Sequence, residues 1–297
     1  QAGVRYEHII SDYYEYGKKV EEQSRKYDHI FPSLAVSFPL GNVQMQLAYR
    51  ASIKRPSYWD LRGNITYANR YTYETGNPLL QPTTIQSLSL NTIYRWMSLS
   101  LSYNHYKNDY TSYVRAYSEE NPTIGLLTRE HIAPYNRLSA SLTLSPVIGK
   151  WSPRWGVQVQ RYDCKVDTPQ GVETFDNPLA ILSWRNTVKF TDSFWINADA
   201  YYQTKSQIDN TEYLENSWYM NLNLYKGFLN NRMSLQLQVT DLFNTRKSHV
   251  LMYSGLRTME LDNEMHRTVS LTFRYKFNPT KSKYKGTGAG QSQKARM

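Results

Sequence analysis

Residues 267–277 read Arg-Thr-Val-Ser-Leu-Thr-Phe-Arg-Tyr-Lys-Phe, in which polar and apolar side chains alternate without a break from Thr268 onward. Because successive side chains of a β-strand point to opposite faces, the pattern predicts a strand with one apolar and one polar face. Strands of soluble proteins usually have about five or six residues, whereas a tilted strand needs ~9–11 residues to cross a bilayer. The length favours a membrane-spanning strand, whose apolar face holds Val269, Leu271, Phe273, Tyr275 and Phe277.

The same alternation recurs through the chain. Residues 97–104 alternate Met, Leu, Leu and Tyr with Ser, Ser, Ser and Asn, and residues 233–240 alternate Met, Leu, Leu and Val with Ser, Gln, Gln and Thr. Related patterns occupy residues 43–50, 138–145, 194–201 and 218–225. Periodicity alone does not separate a soluble β-sandwich, whose apolar face is the core, from a barrel whose apolar face meets lipid.

The connections between these segments alternate in length, which favours the barrel. Short links are predicted at residues 39–42, 95, 147–152, 191–192 and 227–230, and long polar loops at 15–30, 53–82, 167–177 and 245–264. Outer-membrane barrels place short turns at one rim and long loops at the other. The sequence therefore predicts an all-β fold, an antiparallel transmembrane β-barrel with about twelve visible strands.

The predicted strands cover residues 1–14, 31–40, 43–52, 83–94, 96–116, 122–146, 153–166, 178–190, 193–207, 211–226, 231–244 and 264–278. Because proline lacks a backbone N–H, Pro134 is expected to kink the long sixth strand.

The composition agrees with a barrel. Mean hydropathy is −0.65 and no run of eighteen apolar residues occurs, which excludes a bundle of membrane helices. The 26 Tyr and 7 Trp suit the headgroup level of a membrane, although aromatic residues favour strands in any setting. Aromatic residues beside the short turns predict a girdle formed by Tyr94, Trp96, Trp151, Trp155, Phe190 and Phe228.

No catalytic, metal or cofactor motif is visible in the sequence. Cys164 is the only cysteine, so neither a disulfide within the chain nor a cysteine-based zinc motif is expected. The six histidines form no close pair at ligand spacing, and no phosphate-binding loop or nucleophile motif occurs. We therefore predict a protein that is not an enzyme and has no cofactor or bound metal.

The net charge is +10, which raises the question of a nucleic-acid partner. The excess does not lie on one helix face or on an aromatic platform, so no nucleic-acid partner is predicted. Part of it lies in residues 279–297, a Gly- and Ser-rich basic tail that is expected to be disordered.

The predicted domain is a partial barrel over residues 1–278. Because the sequence opens directly on a strand-like segment at Gln1, it is expected to be a piece of a longer chain.

Three segments carry a family resemblance. Arg55-Pro56 opens a long loop, and Gly76-Asn77-Pro78-Leu79-Leu80-Gln81-Pro82 leads into the next strand. Val-Thr-Asp-Leu-Phe-Asn at 239–244 holds Asp241, Phe243 and Asn244. With the segment 267–277, these motifs resemble the C-terminal barrel of TonB-dependent outer-membrane receptors, in the outer-membrane β-barrel protein family. Gly76 is expected to supply the positive φ of a tight turn, and Pro78 and Pro82 to stiffen the return.

The resemblance implies a location in the outer membrane of a Gram-negative bacterium and the C-terminal part of a barrel of about 22 strands. It also implies specific partners: outer-membrane lipid, an N-terminal plug, the remaining barrel strands, and an inner-membrane energy-transducing complex reached through the plug. Such a receptor captures a ligand, such as a glycan or siderophore, and imports it through the plugged lumen. The apolar set in residues 267–277 would then be the C-terminal barrel signal. For ligand contact we predict Tyr58, Trp59, Arg62, Tyr67, Tyr71 and Tyr73.

Two other functions fit parts of the pattern. A self-contained twelve-stranded pore or barrel enzyme would also have alternating strands and an even strand number. A soluble β-sheet protein that binds carbohydrate would use the apolar face as its core.

Overall fold

The computed structural model describes residues 1–277 and shows one antiparallel sheet of twelve strands, the wall. Each wall strand pairs with the preceding and the following one, so the order in space follows the order in sequence. In chain order the wall strands are β1 (Ala2–Ser11), β2 (Arg25–Leu40), β3 (Val43–Lys54), β4 (Thr83–Tyr94), β5 (Met97–Lys107), β6 (Tyr135–Leu144), β7 (Trp151–Tyr162), β8 (Leu179–Thr191), β9 (Phe194–Gln203), β10 (Ser217–Phe228), β11 (Met233–Thr240) and β12 (Thr268–Tyr275). Within residues 1–277, β1 and β12 form the two ends of the sheet and do not pair with each other.

The register keeps apolar residues on one face of the wall. Leu47 opposes Leu90, Leu90 opposes Leu101, and the row continues through Ala140 and Val159. Leu47 and Leu101 are exposed, as expected for side chains that face lipid. On the other face, polar side chains bond across strands, for example Ser87 to Asn104 at 2.6 Å. The predicted alternation is therefore confirmed as the organising feature of the wall.

The last wall strand is shorter than its sequence pattern. β12 has eight residues and pairs with β11, so that Val269, Leu271 and Phe273 oppose Val239, Leu237 and Leu235. Phe277 lies beyond the strand and packs edge-on against Tyr275, with ring centroids 4.6 Å apart. The predicted apolar face is present, but the strand predicted over 264–278 occupies only Thr268–Tyr275.

Short and long connections lie at opposite edges of the wall. The short ones are tight turns at residues 41–42, 95–96, 145–150, 192–193 and 229–232. Positive φ angles occur at Gly41, Arg95 and Asn230, as tight hairpin turns require. Of the predicted girdle residues, Trp96, Phe190 and Phe228 are exposed beside these turns. The other edge carries six long connections, at residues 12–24, 55–82, 108–134, 163–178, 204–216 and 241–267.

The long connections fold into small sheets of their own, and we refer to them as loops by their residue numbers. Their strands are Tyr14–Glu15, Lys18–Lys19, Thr66–Asn69, Thr72–Glu74, Tyr110–Ala116, Gly125–His131, Cys164–Thr168, Gly171–Phe175, Ser206–Ile208, Thr211–Tyr213, Lys247–Ser254 and Arg257–Glu264. The 55–82 and 108–134 loops share one four-stranded sheet, and the 204–216 and 241–267 loops share another. A 3-10 turn at Glu21–Gln23 completes the secondary structure of the described residues.

Several predicted strands were too long, for a common reason. The predicted strands 96–116 and 122–146 each divide into a wall strand and a loop strand, because the chain turns at Asn108, with φ 58°, and at Pro134. The predicted strand 193–207 ends at Gln203, and the predicted loop 245–264 contains a hairpin. The alternation continues across these breaks because loop strands also bury one face, whereas their pairing partners change. The predicted disordered tail, residues 279–297, lies outside the described residues.

A small core supports the loops above the wall. Phe175 and Cys164 are 1% exposed and pack with Tyr135, Tyr162 and Val166. Tyr106 stacks on Tyr135 with ring centroids 4.7 Å apart. Within residues 1–277, no helix is long and apolar enough to cross a membrane.

Candidate ligand-binding loops

The 55–82 loop begins with a hydrogen-bonded turn. The Ser57 hydroxyl donates to Asp60 Oδ2 at 2.6 Å, and the Asp60 N–H donates to the Ser57 hydroxyl at 3.2 Å. Arg129 of the 108–134 loop binds the other Asp60 oxygen at 3.0 Å. Burial alone would raise the pKa of Asp60, but the Ser57 and Arg129 hydrogen bonds lower it overall. A charged, anchored Asp60 therefore joins the two loops.

The family motif around Gly76 closes the same loop by a different route from the predicted one. Gly76 does not have a positive φ; a side chain there would instead collide with the backbone of Asp60 and Arg62. The Asn77 N–H donates to the Asp60 carbonyl at 2.6 Å, and the Asn77 side chain donates to the Arg129 carbonyl at 2.9 Å. Glycine is required for close approach, so the expected positive-φ turn was wrong.

The other motif residues anchor the ends of loops. Leu80, which is 2% exposed, and the buried Pro82 bring the chain back into β4. Pro78 and Pro56 are partly buried, and Arg55 forms an ion pair with Glu7 of β1. These contacts place the 55–82 loop firmly on the wall.

Asp241 organises the start of the 241–267 loop. Its fully buried carboxylate accepts hydrogen bonds from the Thr245 N–H at 3.0 Å and the Arg246 N–H at 2.9 Å. Burial alone would raise the pKa of Asp241, but these N–H donors lower it overall. Asn244 accepts a hydrogen bond from the Arg267 N–H, and the exposed Phe243 lies against Trp218. These contacts make the motif part of the loop architecture.

The predicted ligand-contact residues divide into groups. Tyr58 is 94% exposed, and Trp59 is 64% exposed with the Arg62 guanidinium 3.4 Å from its ring centroid. Tyr73 stacks on Tyr117 with ring centroids 4.6 Å apart, and Tyr67 packs edge-on against Tyr73. The structure also brings Arg70 over the exposed Tyr71. Trp59 and Arg62 thus form one pair, Tyr67 and Tyr73 form another cluster, and Tyr58 and Tyr71 are open to solvent.

Arg62 has unused hydrogen-bonding capacity. Its side chain is 11% exposed and lies 3.6 Å from a Glu74 carboxylate oxygen. Within the described residues, its Nε and Nη1 are buried and have no hydrogen-bond partner. Since an unpaired buried donor is costly, Nε and Nη1 of Arg62 are unsatisfied polar atoms of this loop.

Arg257, at the tip of the 247–264 hairpin, supports the 55–82 loop, and the sequence did not predict this role. It donates to the Thr72 hydroxyl at 2.8 Å and to the Tyr71 carbonyl at 2.7 Å. Next to it, Gly255 has φ 62° and packs against the Val114 backbone. Since Arg257 is 185 residues from Thr72 in the chain, no local sequence pattern points to this contact.

A cavity of about 240 Å³ lies among four loops and includes Glu130, His131, Cys164, Asp167, Asp209 and Tyr253. Burial and then the neighbouring Asp109 carboxylate raise the pKa of Asp209. Burial also raises the pKa of the Cys164 thiol, which disfavours the reactive thiolate. None of the predicted ligand-contact residues lines this cavity, so the two places are separate.

Comparison with known proteins decides the family. The profile of the outer membrane protein beta-barrel family matches residues 1–275. The chain belongs to this family. This outer-membrane barrel protein therefore lies in the outer membrane of a Gram-negative bacterium, as predicted. No curated protein shows significant similarity to its sequence.

Solved receptor structures share its fold. The ferric enterobactin receptor of Pseudomonas aeruginosa, in complex with enterobactin, is 18% identical with a TM-score of 0.53, over 83% of this chain and 40% of the receptor. The siderophore receptor PirA of Acinetobacter baumannii is 13% identical with a TM-score of 0.53, over 84% of this chain and 41% of that one. PiuA of the same species is 13% identical with a TM-score of 0.53, over 93% and 40%. The barrel protein thus spans about two fifths of the length of these receptors.

Proposed function

We propose that this barrel protein is the C-terminal part of a TonB-dependent outer-membrane receptor that imports a ligand. The remaining wall strands and an N-terminal plug would complete the barrel, and the plug would couple it to an energy-transducing complex in the inner membrane. Two facts support this: within residues 1–277 the sheet ends at β1 and β12 without closing on itself, and the similar receptors are more than twice as long. A closed barrel leaves no unpaired sheet edge in lipid.

The observation that carries the proposal is the organisation of one edge of the wall. Within residues 1–277, six long connections lie there, and four of them pair into two shared sheets, whereas the connections at the other edge are short. Ordered loops at one rim fit capture of a ligand at the cell surface. In the proposed function these loops bind and the barrel transports, so the protein performs no chemistry on its ligand.

The loop side chains favour a ligand with a flat ring and anionic oxygens. Trp59, Tyr58 and Tyr71 offer exposed aromatic surface, and the positive charge of Arg62 beside Trp59 favours an anionic ligand. A siderophore that chelates iron through aromatic oxygens has this chemistry, and enterobactin is the ligand in the similar Pseudomonas receptor. A neutral glycan would stack on the same aromatic surface without needing a cation, and it is the alternative that the experiment distinguishes.

Uptake by cells that carry the full-length parent protein tests the proposal. We expect uptake of iron-55 from ferric enterobactin or a related siderophore, and loss of that uptake on adding a protonophore. Replacing Tyr58 and Trp59 by Ala should reduce uptake about tenfold, because stacked aromatic contacts contribute roughly 1 kcal/mol or more each. The matched control replaces Trp96 and Phe228, exposed aromatics beside the short turns, and should leave uptake unchanged.

Other outcomes identify the alternatives. Uptake of a labelled oligosaccharide but not of iron would show that the ligand is a glycan and not a siderophore. Uptake that persists with the protonophore would overturn energised import in favour of a passive pore.

A further inference from the structure

The hairpin of the 241–267 loop gathers three potential metal ligands on one face. Its strands are Lys247–Ser254 and Arg257–Glu264, and His249 stands directly opposite Asp262 in their register. Glu260 precedes Asp262 by two residues and therefore lies on the same face. The ligand atoms of the three side chains all lie within 4.8 Å of one another.

The two carboxylates lie at different nitrogens of one imidazole. His249 Nε2 is 2.6 Å from Glu260 Oε1, and His249 Nδ1 is 3.9 Å from Asp262 Oδ1. Within residues 1–277, His249 is the only basic side chain that pairs with either carboxylate. An ordinary hydrogen bond accounts for Glu260 but leaves Asp262 without a close partner. A divalent cation bound at one imidazole nitrogen, with both carboxylates turned toward it, would compensate both negative charges.

The backbone holds these three residues close together before any ion binds. The strands pair over eight residues, from Lys247 opposite Glu264 to Ser254 opposite Arg257. The His249 carbonyl also accepts a hydrogen bond from the Leu214 N–H at 3.0 Å. Binding therefore needs side-chain rotations of Glu260 and Asp262 but no change of the backbone, which lowers its entropic cost. His249 is partly buried and the two carboxylates are exposed, so water can complete the coordination.

We propose that His249, Glu260 and Asp262 bind one divalent first-row transition-metal ion, of which Zn²⁺ is the best probe. One imidazole nitrogen with two carboxylate oxygens is a ligand set that such ions accept, and Ca²⁺ and Mg²⁺ favour oxygen ligands alone. The ion cross-links the two hairpin strands. The sequence did not predict this site, because its ligands meet through strand register and not through a spaced His or Cys motif.

The bound ion would also stiffen the hairpin that supports the 55–82 loop. The same hairpin carries Arg257 at its tip, where it bonds to Thr72 and Tyr71. A cross-link between the hairpin strands therefore restricts the motion of that tip. This inference does not depend on the proposed transport function.

Calorimetric titration of the metal-stripped, full-length protein in detergent with Zn²⁺ tests the site. We expect one saturable Zn²⁺ site at the hairpin. Its affinity should fall about 10- to 100-fold or more in His249→Ala and in the double variant with Glu260→Gln and Asp262→Asn. Glu264→Gln removes a carboxylate from the same strand and face, and His266→Ala removes a nearby imidazole. Both controls should bind Zn²⁺ like the unchanged protein. Binding that is absent, or equal in His249→Ala, would overturn the proposal.

A second measurement on the unchanged protein guards against variants that misfold. Hydrogen exchange of the amides in residues 247–264 should slow on adding Zn²⁺, whereas Mg²⁺ at the same concentration should have no effect. Exchange that slows equally with both ions, or with neither, would contradict a transition-metal site.

Discussion

At the residue scale, Arg257 shows how one side chain fixes a distant loop. Its guanidinium reaches the Thr72 hydroxyl and the Tyr71 carbonyl, and it lies against Gly125 of a third strand. Arginine suits this position because its fixed fork of donors serves several acceptors at once. The exposed Tyr71 and the stacked Tyr73 depend on the strand that Arg257 supports.

Replacing Arg257 by Ala should loosen the 55–82 loop. Two charge-assisted hydrogen bonds are lost, and we expect the free energy of local opening to fall by about 1–3 kcal/mol. Hydrogen exchange of residues 66–74 measures this as a roughly 10- to 100-fold increase in exchange rate. Arg70→Ala is the matched control, because Arg70 only lies over the Tyr71 ring. Equal effects of the two substitutions would show that Arg257 has no special supporting role.

Asp60 makes the same loop sensitive to acid. Its pKa is lowered in the folded protein, so the carboxylate stabilises the loop above its ordinary pKa of about 4. That contribution is lost as the pH falls through the lower, folded-state pKa. A spin label at Tyr58→Cys should become more mobile over this acid range. With Asp60→Asn the label should be mobile already at neutral pH, and a transition that survives in this variant would exclude Asp60 as its cause.

At the scale of elements, Gly76 decides how the 55–82 loop closes. An added methyl group at Gly76 meets backbone atoms of Asp60 and Arg62, which cannot rotate away. Gly76→Ala should therefore destabilise the loop by about 1–3 kcal/mol, as overpacking does elsewhere. Hydrogen exchange of residues 55–82 is the measurement. At Gly63, in the same loop, an added methyl meets mainly the end of the Tyr13 side chain, so Gly63→Ala should have a much smaller effect.

The sequence predicted the wall better than the loops. All twelve wall strands were found, because alternation over ten or so residues is a strong local signal. The breaks at Asn108 and after Gln203 were missed, because the alternation runs on into loop strands with new partners. The contacts of Arg257 with Thr72 and of His249 with Asp262 depend on long-range packing and strand register, which one sequence does not display.

At the scale of the whole molecule, the wall is a sheet whose apolar face meets lipid. Leu101 lies within the apolar row that crosses β3 to β7. Leu101→Arg should cost about 2–4 kcal/mol in a bilayer, as a charge near the midplane of a lipid-facing strand does. Urea unfolding of the full-length protein in lipid vesicles measures this cost. Ser102→Arg, on the polar face next to it, should cost far less, and equal costs would contradict the assigned faces.

The most direct test of the central claim is the membrane topology of the full-length protein in intact cells. Tyr58→Cys lies in a long loop and Asn230→Cys in a short turn, while the native Cys164 is buried. An impermeant maleimide should label Tyr58→Cys in intact cells and Asn230→Cys only after the outer membrane is permeabilised. Labelling of Asn230→Cys in intact cells, with Tyr58→Cys protected, would contradict an outer-membrane wall that presents its long loops to the outside.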